Sequence, residues 1–283
     1  METPLVIGVI EGEVPTPLGL ARAAARHPDL SVRALVLDQP FPEPLAGVIV
    51  DVPLGQRAEL LARAAARWPV PMLIEAPVAN DMVNDDIVVA NPLRYALHTR
   101  RLLDELAQAD DPLETFFAAW RFRPQTTADH ALPQLLDFLQ ALSPGPDELG
   151  RISAMERSEP SVLTVTLRYA SDVLGSIEVG SHLPESFPSE SELVVECFCH
   201  ASAYSCVPGN QAVQFYGRSH GAVDWQPDPA DAMVAAFAAW LDGGARPPGG
   251  IADDLKTLRL VDRIRQALQM GGVLDVQVME AVR

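Results

Sequence analysis

Lysine is almost missing: Lys256 is the only one in 283 residues. Basic charge as a whole is scarce, with 21 Lys and Arg against 38 Asp and Glu and a formal net charge of -17. A surface of that sign repels phosphate, so nucleic acid and anionic membrane are excluded as expected partners. Long apolar runs are lacking too, and no segment approaches the ~18 uninterrupted apolar residues of a membrane span. The N-terminus has no charged stretch followed by an apolar core of the secretory kind, so a cytoplasmic protein is expected. The sequence holds no G-x-S-x-G, H-E-x-x-H or G-x-x-x-x-G-K signature, no internal repeat and no low-complexity tract.

Cysteine is limited to Cys197, Cys199 and Cys206, all within "ECFCHASAYSC" beside His200. A metal site is one reading of that cluster. Strand alternation is the better one, because Cys197 and Cys199 then face one side of a sheet, and free cysteine is among the most buried residue types. No second C-x-x-C pair accompanies them, and no metal is expected.

What is present is ordinary for a soluble globular chain: 48% hydrophobic and 21% charged residues, in a length that suits two domains. From Leu5 to about Ala90, short apolar runs alternate with amphipathic segments: "LVIGVI", "PLGLARAAARH", "VRALVLD", "AGVIVDVP", "GQRAELLARAAARW", "PMLIEAP", "DDIVVAN". That order predicts an α/β Rossmann-like, doubly wound parallel sheet over residues 1–91. Its first helix is expected to start at Thr16-Pro17 and to end at His27-Pro28. Further helices are predicted over Pro92 to Gln108 and Ala131 to Leu142. After Gly150 the period changes to two, in "SVLTVTLRYAS", "VLGSIEVGSHL" and "SELVVECFCHAS". Two helices ending at Gly243-Gly244 and Gly271 follow. Residues 92–283 thus read as an α+β domain with an open antiparallel sheet. Its alternating strands have too few helices to cover both faces, which predicts a homodimer through that sheet.

The ordered series "AGVIVDVPLGQRAELLARAAARWPVPMLIEAPVA", "VVANPLRYALHTRRLLDEL", "WRFRPQTTADHALPQLLDFLQAL", "YASDVLGSIEVGSHLP" and "FAAWLDGGARPPGGIADDLKTLRLVDRIRQALQMGGVLDV" resembles the glucose-fructose oxidoreductase / inositol dehydrogenase / MocA family along nearly the whole chain. The resemblance implies NAD or NADP as cofactor and a sugar-like or polyol-like small-molecule substrate. It implies cofactor contacts at Gly12, Asp38, Pro53, Glu75 and Pro77, and acid–base chemistry at Asp129, His130 and Gln134, with the segment from Trp120 to Leu142 as the substrate-facing helix.

Position by position, this chain departs from the pattern the resemblance implies. Glu11 and Glu13 stand in place of the first two loop glycines, which would let backbone approach a pyrophosphate. One carboxylate ~4.5 Å from a phosphate costs roughly 3–4 kcal/mol at an effective dielectric of ~20. After Asp38, the expected ribose acid, the proline-rich "DQPFPEPLAG" replaces a helix and a strand. The family's Glu-Lys-Pro is Glu75-Ala76-Pro77, and alanine can neither donate a proton nor attract an anion. Aligned on Asp137, His130 takes the place of an Asp and Gln134 that of a His. Two functions follow as expectations: an NAD(P)-dependent oxidoreductase with a rebuilt cofactor loop, or a non-catalytic ligand-binding or assembly protein that binds no cofactor.

Overall fold

The computed structural model describes residues 4–13, 16, 18–39, 41, 44–78, 84–109, 111–124, 131–142, 149–159, 161–187, 191–206, 213–215, 221–223 and 228–276. The chain forms two compact units, Met1–Leu97 with Pro227–Lys256, and His98–Gln226 with Thr257–Arg283. These differ from the contiguous division expected at residues 91 and 92, because a late helix returns to the first unit.

The first unit holds a parallel sheet of β1 (Leu5–Glu11), β2 (Leu30–Ala34), β3 (Gly47–Asp51), β4 (Met72–Glu75) and β5 (Ile87–Ala90), in the order β2-β1-β3-β4-β5. Strands β3, β4 and β5 are buried at every position, as near-continuous apolar runs covered on both faces must be. One face packs Ile7, Val9, Ile49 and Leu73 against α1 (Leu20–Arg26) and α6 (Pro229–Leu241). The other packs Val48, Val50, Met72 and Ile74 against Leu61 of α2 (Arg57–Arg67) and against Ile251. Helix α6 joins this unit because Gly47 lets it lie flush: a Cβ there would stand 2.9 Å from the Phe237 ring and 3.0 Å from Leu241.

Three local expectations are corrected. Helix α1 begins at Leu20, not at Thr16, and its N-cap is Gly19 at φ 65°, a left-handed conformation that favours glycine. Strand β2 ends at Ala34, so Asp38 lies four residues beyond it. The helix predicted over residues 92–108 is two helices, α3 (Pro92–Tyr95) and α4 (Leu97–Gln108), parted where Ala96 turns extended at ψ 132°.

The second unit is built on β6 (Leu113–Phe122), β7 (Leu149–Ser158), β8 (Ser161–Tyr169), β9 (Leu174–Ser181), β10 (Ser191–Cys199), β11 (Ala203–Cys206) and β14 (Val273–Asp275). Their order is β11-β10-β6-β9-β8-β7-β14, and a separate hairpin joins β12 (Val213–Phe215) to β13 (Gly221–Val223). The open sheet is present, but it is mixed, because β6 and β9 pair in parallel. Strand β6 was not expected; it takes up Trp120 to Phe122, so the substrate-facing helix is confined to α5 (Ala131–Gln140). It lies between β10 and β9, and its Phe116 ring covers Gly175 of β9, where an added Cβ would lie 2.2 Å from the ring. Helix α5 is held to α7 (Ile251–Gln269) by Gln140 Nε2 donating to Thr257 Oγ1 at 2.8 Å.

Candidate functional site

In an open parallel sheet, ligands sit beyond the carboxyl ends of the strands where the strand order reverses. In the first unit that switch point lies between β1 and β3, and both strands end there in carboxylates. Glu11 pairs in register with Asp51, and the Gly12 amide donates to the Asp51 carbonyl at 3.1 Å. Glu11 and Glu13 are exposed. Asp51 is buried, only 8% exposed, and its carboxylate turns inward to the start of α1. There Oδ2 accepts from the Ala21 amide at 2.8 Å, and Oδ1 accepts from the Thr16 hydroxyl. Thr16 Oγ1 in turn accepts from the Gly19 amide at 3.0 Å. Helix-start amides and their partial positive charge are what a phosphate would use. Here a carboxylate of the same chain uses them. A buried charge must be paired or hydrogen-bonded, and these donors supply that need for Asp51.

The other positions that the resemblance assigns to a cofactor have partners or roles within the chain. The Asp38 side chain is 87% exposed and meets Arg63 at 3.2 Å across the surface. Between β2 and β3 the described residues form no helix or strand, and β2 is the sheet edge, as the shortened sequence implied. Pro53 caps the short 3-10 turn Leu54–Gln56, which leads into α2. Glu75 ends β4 in a buried ion pair, its Oε2 2.5 Å from Arg57. The same guanidinium donates to the carbonyls of Val52, Glu75, Ala76 and Pro77 at 3.2, 3.1, 2.9 and 3.4 Å. Ala76-Pro77 is a cis peptide. Arg57 therefore clamps the segment that the resemblance assigns to cofactor and substrate. Its planar fork of donors suits that task in a way a lysine could not.

Sequence reasoning passed over Asp51 and Arg57. A signal for Asp51 was available: it is the only charge in "AGVIVDVP", a run whose strand is buried on both faces. Arg57 carried no such signal among so many arginines, since only the tertiary fold brings it to Glu75.

The proposed acid–base residues are divided. Asp129 and His130 lie outside the described residues. Gln134 is buried on α5 at 2% exposure, and Asp137 is buried one turn further at 7%. Lys256 is exposed on α7, while its neighbour Asp254 is buried and accepts from the Val78 amide at 2.9 Å.

All three cysteines are free and buried, with Cys197 and Cys199 on one side of β10. Burial pushes the Cys197 and Cys206 thiols up to about 12, and raises Cys199 as well. Thiols held neutral by burial are inert. No group of three or more candidate metal-binding side chains exists among the described residues. None of the described helices is long and apolar enough to cross a membrane.

On β6, Arg121 Nε binds Glu178 at 2.7 Å and its terminal nitrogen binds Glu192 at 3.2 Å. Hydrogen bonding to Glu178 is the largest influence raising the guanidinium's pKa, with Glu192 adding to it.

No protein-family model matches the sequence, and no curated protein matches it either. Solved structures do match its fold. A myo-inositol dehydrogenase from Corynebacterium glutamicum ATCC 13032 has a TM-score of 0.73 at 16% identity, over 96% of this chain and 99% of that one. An oxidoreductase from Agrobacterium radiobacter, solved with NAD+, L-tartaric acid and magnesium, has a TM-score of 0.73 at 13% identity, over 96% and 99%. GenD2 from gentamicin A biosynthesis, solved with NAD, has a TM-score of 0.72 at 15% identity, over 98% and 97%. The chain therefore has the fold of the glucose-fructose oxidoreductase / inositol dehydrogenase / MocA type of NAD(P)-dependent oxidoreductases.

Proposed function

We propose that this protein is a dimeric small-molecule-binding protein on a dehydrogenase fold that has given up dinucleotide chemistry. The carrying observation is the Asp51 carboxylate, buried at the start of α1 and bonded to the Ala21 amide and the Thr16 hydroxyl. A pyrophosphate at the same place would face that carboxylate at close range, with Glu11 and Glu13 beside it. At an effective dielectric of ~20, each such pair of charges opposes binding by roughly 3–4 kcal/mol. The residues present do not fit a dinucleotide. Exposed carboxylates accept hydrogen bonds, which suits hydroxyl-rich ligands of the sugar or polyol kind. Ala76 supplies no proton donor for turnover.

A second reading is an NAD(P)-dependent oxidoreductase acting on a polyol-like substrate through a rebuilt loop. Its support is that structures of the same fold were solved with NAD.

Fluorescence titration with NADH and NADPH, repeated by calorimetry, decides between them without knowledge of the substrate. The first reading expects no binding below millimolar concentration. Micromolar binding by the unmodified protein would transfer the conclusion to the second. Sedimentation tests the homodimer independently; a monomer alone at micromolar protein removes it.

A further inference from the structure

The strands of the first unit's sheet begin at the end opposite the switch point. A cleft of about 510 Å³ opens there, between the start of β1, the turn from α1 to β2 and the last turns of α6. That volume suits a small molecule. None of the positions that the resemblance assigns to cofactor or substrate is among the described residues that line it. Helix α6 makes the room. Its Met233, Val234 and Phe237 fill the core, while Ala235, Ala238 and Ala239 line the cleft, where a methyl group occupies little space. The other wall is fixed by backbone: the Leu5 amide donates to the Asp29 carbonyl at 2.9 Å, and the Leu30 amide to the His27 carbonyl at 3.3 Å. Pro28 restricts the turn between them.

The charge of this cleft is of one sign. Asp29 and Asp242 are exposed at its rim, and no lysine or arginine is among the described residues that line it. Among the described residues neither carboxylate has an ion-pair or hydrogen-bond partner. Two helix C-termini border the cleft as well, α1 ending at His27 and α6 at its C-cap Asp242. Such ends carry partial negative charge, which a basic residue in the last turn ordinarily offsets. Helix α6 has none there. The one on α1, Arg26, is taken by Asp231 at 2.6 Å and Asp228 at 3.5 Å. The His27 ring does not supply the missing charge: its Nδ1 accepts from the Asp29 amide at 3.4 Å, which only the neutral ring can do.

We propose that this cleft binds a linear aliphatic diamine, with one ammonium on Asp29, the other on Asp242 and the methylene chain along the alanines of α6. The class follows from the lining. The two carboxylates come from different elements, the α1–β2 turn and the end of α6, and apart from His27 the remaining described residues are apolar. An exposed ion pair is weak by itself. Two such pairs joined by hydrocarbon that leaves water reinforce each other. A neutral polyol would leave both carboxylates without a countercharge, so this site differs from the one proposed at the switch point and does not rest on it. The net charge of -17 adds to the attraction of a dication.

Calorimetry on the whole chain at low salt with ethylenediamine, putrescine and cadaverine tests the site. At least one diamine should bind with a dissociation constant at or below about a millimolar, and butylamine and butanediol at least about fivefold more weakly. Asp29→Asn and Asp242→Asn should each weaken the best diamine about fivefold. Ala239→Leu, at an exposed helix position, should block the cleft with both carboxylates in place. Glu156→Gln removes one exposed carboxylate from the second unit and should leave binding unchanged, which separates the cleft from diffuse attraction to an acidic surface. Circular dichroism checks that each variant is folded. No diamine binding up to about 10 mM, equal affinity for butylamine, wild-type affinity in Asp29→Asn, Asp242→Asn or Ala239→Leu, or an equal loss in Glu156→Gln overturns the proposal.

Discussion

Replacing Asp51 by alanine tests whether its carboxylate completes the start of α1. The substitution removes the acceptor of the buried Ala21 amide and of the Thr16 hydroxyl, the latter on a residue only 4% exposed. Each buried donor left without an acceptor costs about 1–3 kcal/mol. Relief of the carboxylate's own desolvation offsets part of that loss, and lost attraction to the helix start adds up to about 1 kcal/mol. The net expectation for Asp51→Ala is a loss of about 2–4 kcal/mol. At about 2–4 °C per kcal/mol, a 3 kcal/mol loss lowers the thermal midpoint by roughly 6–12 °C. Asp51→Asn retains one acceptor oxygen and should lose about 1–2 kcal/mol. Thr16→Val removes the hydroxyl at nearly constant shape, so a double-mutant cycle with Asp51→Ala isolates the Thr16–Asp51 interaction, expected at about 1 kcal/mol. Urea unfolding followed by circular dichroism measures the wild type and the four variants. Wild-type stability in Asp51→Ala, to within about 0.5 kcal/mol, or strict additivity with Thr16→Val, would refute the reasoning.

Glu11→Gly/Glu13→Gly should gain at most weak, millimolar NADH binding and no turnover, because Asp51 still takes the helix-start donors; adding Asp51→Asn should strengthen that binding in calorimetry, and equal affinity for the two variants would contradict this. Arg57→Met leaves Glu75 buried without its guanidinium and removes the donor shared by four carbonyls, so about 3–5 kcal/mol of stability should be lost; a thermal midpoint near wild type would show the clamp to be dispensable. Cys197 and Cys206 have folded pKa values raised to about 12, so the unfolded chain releases their protons first and stability falls as pH rises from about 9 toward 12. The slope is about 1.4 kcal/mol per pH unit for each thiol, and a urea midpoint unchanged between pH 8 and pH 10.5 would count against it.

The sequence determined the alternating architecture of the first unit, because a strand covered on both faces must be apolar throughout and a surface helix must be striped. Those periodicities are local, and residues 47–51, 72–75 and 87–90 show them without help from the fold. It also determined that one side of β10 carries buried thiols, that Ala76 stands where the resemblance expects a lysine, and that the connector after Asp38 is too short for a further helix and strand. Tertiary structure decided what cannot be written locally. The bond between Thr16 and Asp51 spans 35 residues, and the Arg57–Glu75 pair spans 18. The parallel pairing of β6 and β9 depends on a ring 59 positions from its glycine, as Phe116 covers Gly175. Helix α6 returns to the first unit because Gly47 leaves room for Phe237, a match invisible to any window of neighbouring residues. Periodicity reports which face of an element is buried. Which other element does the burying, and which carboxylate reaches which amide, is fixed only when distant segments meet and each buried polar group must find its partner.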